Sequence, residues 1–111
     1  MYSFSKKKRL IFSHEYDYVF GIGKKITTRN FVFFYCKNDC EYARLGLAIS
    51  KKKVNKSHDR QRIKRLVRES FRHRVLGGLD IVVLARQAIE KESNSSLLKQ
   101  LGSIWDDLVG F

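Results

Sequence analysis

The densest chemistry in the chain lies in residues 50–72, SKKKVNKSHDRQRIKRLVRESFR. Lys51, Lys52, Lys53 and Lys56 precede a stretch with helical spacing. At about 100° per residue, Arg60, Lys64, Arg68 and Arg72 form one ridge, Gln61 and Arg65 lie beside it, and Arg62 lies further round near Glu69. Cations one helical turn apart can meet successive phosphates, and the forked guanidinium group suits phosphate oxygens and stacks on bases. The helix start near Asp59 and Arg60 adds unpaired N–H groups, another feature suited to phosphate. A solvated charged face usually carries acids that pair with its bases one turn away. Here Asp59 and Glu69 are the sole acids in the run, so pairing does not account for the pattern.

Other reactive side chains give weaker signals. His14, His58 and His73 are the residues an acid–base ribonuclease would use, but no carboxylate is spaced to orient any of them. Cys36 and Cys40 flank turn residues and lack the second ligand pair of a structural zinc site. A buried Cys36 thiol and an exposed Cys40 thiol are expected instead. Glu15, Asp17 and Asp59 could contribute to a Mg²⁺ site, but Mg²⁺ keeps many waters and few protein ligands, so its ligands are left unassigned.

These groups sit in a chain of 111 residues with a net charge of +12, one domain in length. Residues 44–74 hold 12 Lys and Arg against Asp59 and Glu69, a net +10, whereas residues 77–111 are net −2. So concentrated a positive field predicts a polyanionic partner and argues against a plain small-molecule enzyme. An apolar fraction of 43% exceeds that of a disordered tail. No apolar run approaches the length of a membrane span, and none follows the basic N-terminus as in a signal peptide. No membrane partner and a cytoplasmic location with reduced thiols are expected.

The elements that must position the basic run follow from periodicity. Residues 1–8 read as a basic, flexible arm extending to Arg9, and residues 1–111 as a single domain. Ser13 is placed to cap a short helix over about 14–21, ended by Gly21 and Gly23. Residues 31–36 are all β-formers, and 42–49 alternate with Leu45, Leu47 and Ile49 on one face. Across Lys37-Asn38-Asp39 these two read as a hairpin. Residues 57–76 read as the basic helix, capped by Ser57 or Asp59. Ile63, Leu66, Val67, Phe71 and Val75 face inward, and Gly77 and Gly78 end it. Residues 79–85 read as a strand, parallel to 42–50 through a βαβ unit. Ser93 or Ser95 caps a last helix, with Leu97, Leu98, Leu101, Ile104, Trp105 and Leu108 on its packing face. The expected fold is a two-layer α/β (α+β) sandwich, in the order α-β-β-α-β-α, with helices on a small mixed sheet.

At this level of detail the sequence resembles a known family. Ala48-Ile-Ser-Lys-Lys52, followed by Arg60-Gln-Arg-Ile-Lys-Arg-Leu66 and Glu69-Ser-Phe71, is similar to the signature of the protein subunit of bacterial ribonuclease P. That signature is an Arg-Asn-Arg helix after a Gly-Leu-x-x-x-Lys-Lys strand. The resemblance extends in order through Arg9-Leu10, Tyr16, Val19-Phe20, Gly23, Phe31-Val32, Arg44-Leu-Gly-Leu47 and Asp80-Ile-Val-Val-Leu-Ala-Arg86, covering about residues 9–90. Two positions depart from it. Gln61 stands where the family has Asn, and Ile11-Phe12 stand where a proline is common.

The resemblance implies a subunit that binds one catalytic RNA, as a 1:1 heterodimer, and helps it remove the 5′ leader of precursor tRNA. Cleavage leaves a 5′-phosphate on the mature tRNA. Catalysis would belong to the RNA and its Mg²⁺ ions, with no organic cofactor and no catalytic residue in the protein. It implies a left-handed βαβ crossover. It also implies that Arg60, Gln61, Arg62, Lys64, Arg65, Arg68 and Arg72 face the catalytic RNA. The matching positions put Tyr16, Phe20 and Phe34 at a leader cleft between the first helix and the sheet, with Phe12 near the same side of that helix, and Lys51, Lys52, Lys53 and Lys56 in the loop before the basic helix would meet phosphates. Arg60 and Lys51–Lys53 would also reach substrate phosphates near the cleavage site. Arg9 and Lys6–Lys8 could cover either RNA. Aromatic platforms with flanking cations suit single-stranded RNA, although aromatics at such spacing also serve as ordinary core. Read without the resemblance, the same residues would fit an rRNA-bracing protein or a self-sufficient histidine ribonuclease. A helix-turn-helix DNA binder fits less well, since strands rather than a second helix flank the basic helix.

Overall fold

A computed structural model describes residues 8–109; Lys6, Lys7 and most of the basic arm lie outside the described residues. Eight elements follow along the chain: helix α1 (Ser13–Ile22), strands β1 (Lys24–Thr27), β2 (Phe31–Lys37) and β3 (Arg44–Ala48), helix α2 (Ser57–Arg72), strand β4 (Leu79–Ala85), a 3₁₀ turn (Ile89–Lys91) and helix α3 (Asn94–Leu108). They form an α+β fold with one four-stranded mixed sheet, in the order β1-β2-β4-β3.

The order of strands follows from their composition. β2 and β4 are apolar on both faces, so both belong at the centre, and they pair antiparallel from Phe31↔Ala85 to Lys37↔Leu79. β3 carries Arg44 and Gly46 and takes an edge, parallel to β4 as expected of the βαβ unit. The expected hairpin between residues 31–36 and 42–49 therefore does not form, because β4 lies between them. The connection instead passes the start of β4 at close range. Asn38 N–H donates to the Gly78 carbonyl at 2.9 Å, and a Cβ on Gly78 would lie 2.1 Å from the Cys40 carbonyl oxygen. β1 was not expected: it is four residues long with Ile26 its sole apolar side chain, and its lysines suit an exposed edge.

One sheet face is fully closed. Ile63, Val67 and Phe71 of α2 and Leu97, Leu101, Ile104, Trp105 and Leu108 of α3 pack on Phe31, Phe33, Tyr35, Leu45, Ile81 and Val83. Trp105 sits edge-on between Phe33 and Phe71, at centroid distances of 5.8 and 5.6 Å, and its indole N–H donates to Ser70 Oγ at 2.8 Å. Ser93 caps α3, its hydroxyl accepting from Ser96 N–H, while Leu98 stays largely exposed. α2 ends at Arg72, earlier than expected. Val75 points to solvent, and Leu76 carries the chain back into the core. Lys56 occupies the N-cap position of α2, so neither Ser57 nor Asp59 caps it.

The other face is covered by α1, which inserts Val19 against Leu10, Cys36 and Val82. Ser13 is the first helical residue rather than the cap. The helix start is held by Glu15, whose Oε1 accepts from Ile11 N–H and Phe12 N–H, both at 2.9 Å. Arg44 joins this carboxylate to the sheet. It donates to both oxygens of Asp80 at 2.8 and 2.7 Å and reaches Glu15 Oε2 at 3.4 Å. Asp80 is 5% exposed and also accepts from Asn38. A buried carboxylate needs such partners.

The Phe12 N–H, then the Ile11 N–H and the Arg44 charge, hold the Glu15 carboxyl below its ordinary value of 4.5, against the opposing effect of burial. A carboxyl lowered by folding contributes stability that is fully present above its unfolded value and is lost as pH falls through the folded value. Glu15→Gln is therefore expected to destabilise at neutral pH and to lose less stability than the parent protein below about pH 4.5. Urea titrations of both proteins from pH 6 to 3 check this; parallel pH profiles would contradict it.

Candidate nucleic-acid interface

α1 cannot cover its sheet face completely, and the residues facing it form rows across the strands. The first row, Arg44, Asp80 and Cys36, lies under the Glu15 network, and the second, Gly46, Val82 and Phe34, lies beside Val19. The third row, Ala48, Leu84, Val32 and Thr27, has no buried member. Phe20 of α1 is 37% exposed and meets Phe34 edge-on at 5.2 Å, with the Lys25 ammonium 5.8 Å from the Phe34 ring centre. The result is an aromatic and aliphatic platform with a cation at its β1 side. Val32 shares the Phe34 face of β2, as the alternation of that strand predicts, whereas Lys25, Leu84 and Ala48 were not assigned to the cleft from the sequence, because β1 was not recognised and the register was unknown.

The other two expected cleft aromatics flank this platform: Tyr16 packs in the same cluster as Phe34, Ala48 and Leu84, and Phe12 stands at the start of α1. The Tyr16 ring lies on β3, where a Cβ on Gly46 would approach it to 2.8 Å. Its hydroxyl accepts from Leu47 N–H at 3.1 Å and donates to the Leu10 carbonyl at 3.3 Å. Leu10 N–H in turn donates to the Leu45 carbonyl. Tyr16 and the segment before α1 thus occupy the outer edge of β3, which would otherwise present unpaired backbone groups. Phe12 is exposed and stacks on His14 at 5.6 Å. The ring that meets Phe34 is that of Phe20, edge-on.

The basic loop follows the open end of the sheet. Lys51, Lys52, Lys53 and Lys56 are all exposed, and their ammonium groups have no partner among the described residues. The loop is nevertheless anchored: Val54 is fully buried, its N–H donates to the Ser50 carbonyl, and Arg60 donates to the carbonyls of Val54 and Asn55 at 3.0 and 2.8 Å. Arg60 is thus engaged within the chain.

The α2 cations divide around the helix. Lys64 and Arg68 line a recess with Arg9, Tyr16, Leu45 and Leu47. Gln61 and Arg65 border a second groove with His58, Leu66 and Asn94. Among the described residues, the side chains of Gln61, Lys64, Arg65 and Arg68 make no hydrogen bond or ion pair. Arg72 is paired with Glu69 at 2.7 Å. Arg62 donates to Asn94 Oδ1 at 2.5 Å and to the carbonyls of Glu90 and Glu92 at 3.0 and 3.4 Å.

The remaining reactive groups do not converge. His58 and His73 stand about 22 Å apart along α2, and His14 is on α1. Glu15 is committed to the α1 start, and Asp59 lies 3.4 Å from His58. Among the described residues, no three His, Cys, Asp or Glu side chains gather as a metal site. Cys36 is buried and Cys40 half-buried; burial, then the Asp80 charge, pushes the Cys36 thiol up.

The ribonuclease P family model matches residues 4–109. The chain belongs to the ribonuclease P protein family. A ribonuclease P protein component from Legionella pneumophila (strain Lens) is 48% identical over 108 residues, spanning 97% of this chain and 95% of that one. Among solved structures, a Staphylococcus aureus RNase P protein mutant with defective mRNA degradation activity superposes with a TM-score of 0.85 at 28% identity, covering 92% of this chain and 88% of that one. The RNase P protein from Thermotoga maritima gives a TM-score of 0.81 at 28% identity, covering 92% and 98%. Membership makes the chain a ribonuclease P subunit in tRNA 5′ maturation, with RNA as its partner. Among the described residues, no helix is long and apolar enough to cross a membrane.

The Tyr16 seat on β3 has a measurable consequence. Gly46→Ala is expected to lower stability by about 1–3 kcal/mol through overpacking, and Tyr16→Phe by about 1 kcal/mol through the lost Leu47 partner. Urea unfolding checks both. A neutral Gly46→Ala would show that the ring is free to move.

Proposed function

We propose that this protein docks on the catalytic RNA of ribonuclease P through the outer face of α2 and holds the 5′ leader of precursor tRNA on the half-covered sheet row. The arrangement that supports this is an unpaired cationic face on α2 and an apolar platform beside α1, connected by the Lys51–Lys56 loop. Gln61, Lys64, Arg65 and Arg68 are the docking contacts, with Arg72 at the end of the ridge, tempered by Glu69. Phe20 and Phe34 stack leader bases, Lys25 flanks them, and Lys51, Lys52, Lys53 and Lys56 meet the phosphates. Arg60 shapes the loop that carries those lysines. Phe12 is an exposed ring at the entrance to α1, and Tyr16 supports the cleft from below.

The protein acts as one domain in a 1:1 complex in the cytoplasm. The Mg²⁺ ions that activate water and stabilise the phosphodiester transition state are held by the RNA. Among the described residues no three carboxylates, histidines or cysteines gather to hold such an ion. Nor do the three histidines support cleavage by the protein alone, since they are spread over two helices.

Two variants test the two surfaces separately. Arg65→Ala is expected to weaken binding to a bacterial ribonuclease P RNA and to reduce the magnitude of the log–log salt slope by about 0.7–0.9, one phosphate contact. Phe34→Ala is expected to lower affinity for precursor tRNA in the holoenzyme roughly tenfold, one stacked base, without changing affinity for leaderless tRNA. Phe20→Ala, at a more exposed ring, repeats the test with less burden on folding. Equal losses for both tRNAs would exclude the leader platform, and an unchanged salt slope for Arg65→Ala would exclude the docking face.

A further inference from the structure

Arg62 belongs to the most basic stretch of the chain, yet it is placed unlike its neighbours. Around the α2 axis it lies about 160° from Lys64 and about 60° from Arg65. It is on the flank that faces the start of α3. Its guanidinium is spent on three acceptors there, Asn94 Oδ1 and the carbonyls of Glu90 and Glu92. Three of its five N–H donors are taken there, and both Nη atoms are held by the chain, so the paired fork that grips a phosphate is not free.

The segment it holds needs holding. Ala88, just before the 3₁₀ turn, has φ 65°, a left-handed conformation that disfavours a residue with a Cβ. The turn also carries Glu90 and Glu92 beside an otherwise acid-poor face. Glu92 is drawn away from that face by the Ser96 hydroxyl at 3.0 Å and by Arg29 at 4.0 Å. The groove that Arg62 spans is the one bordered by Gln61 and Arg65.

We infer that Arg62 is a positioning residue and not an RNA contact: it staples the 89–94 segment to α2 and so fixes the wall of that groove. Gln61 and Arg65 then meet the catalytic RNA in a fixed frame. The inference rests on the reading of α2 as the docking helix.

The test measures affinity of the full chain for a bacterial ribonuclease P RNA across a salt series, at temperatures where each variant is folded by circular dichroism. Arg62→Ala and Asn94→Ala are each expected to weaken binding by about three- to tenfold, the loss of about one hydrogen-bonded contact, with the salt slope unchanged. The double variant should be no worse than Arg62→Ala, and Arg62→Lys should not rescue, since an ammonium keeps the charge but loses the fork. Asn94→Ala removes no charge and remains decisive if Arg62→Ala does not fold. The inference is overturned if Arg62→Ala reduces the slope by about 0.7–0.9 and Arg62→Lys restores binding. It is equally overturned if Asn94→Ala binds as tightly as the parent. Arg65→Ala is the control: if it leaves affinity and slope intact, the docking reading itself is wrong, and this inference falls with it.

Discussion

A sheet whose two central strands are apolar on both sides must be covered twice, and this chain has helix enough to cover it about one and a half times. α2 and α3, of 16 and 15 residues, close one face. α1 has ten residues, about 15 Å of helix, against strands of seven residues that run to about 23 Å. The shortfall leaves Ala48, Leu84 and Val32 only half-buried and Thr27 exposed. Where α1 sits therefore decides where the opening is. Its position is held by Arg44, which links a buried Asp80 to the Glu15 that caps the helix. Tyr16 makes a second attachment at the edge of β3. The half-covered row is thus a remainder of core packing, beside a helix held by one ionic network and one hydroxyl.

The opposite constraint acts on α2. Its inward stripe must satisfy a closed core, so its cations are spread over what is left of the circumference. That circumference borders three different neighbours. Arg60 turns back on the loop before the helix, Arg62 meets the 89–94 segment, and Gln61, Lys64, Arg65 and Arg68 remain for a partner. A cluster that reads as one basic motif is therefore divided by helix geometry into residues engaged within the chain and residues whose side chains are left unpaired among the described residues. The near-absence of acids on the presented face keeps its field undiluted, which suits a polyanion approached through salt-dependent contacts.

The sequence made much of this legible, because the strongest signals were periodic. The apolar stripe of α2, the parallel β3–β4 pair and the packing face of α3 all follow from spacing, while the cap of α3 was narrowed to Ser93 or Ser95 and is Ser93. The family resemblance was carried by the same stretch. What escaped was whatever depends on partners distant in the chain. β1 has too few apolar residues to be read as a strand, so Lys25 was missed as the cation over Phe34. The hairpin expected between β2 and β3 rested on adjacency in sequence, and β4 displaced it because its two apolar faces belong at the centre. Tyr16 and Phe34 look alike in the sequence; the absence of a side chain at Gly46 is what seats one on β3 and leaves the other on the open face. Arg62 could not be separated from Arg65 without knowing which flank of α2 meets α3.

The central claim is that this protein contributes binding surfaces and the RNA performs the cleavage. A cleavage assay at low Mg²⁺ tests it most directly, using precursor tRNA, a bacterial ribonuclease P RNA and this protein, each omitted in turn. The account predicts 5′-leader removal with all three present, little with RNA alone at that Mg²⁺ concentration, and none with protein alone. Cleavage by protein alone, or RNA plus protein no faster than RNA alone, would contradict it.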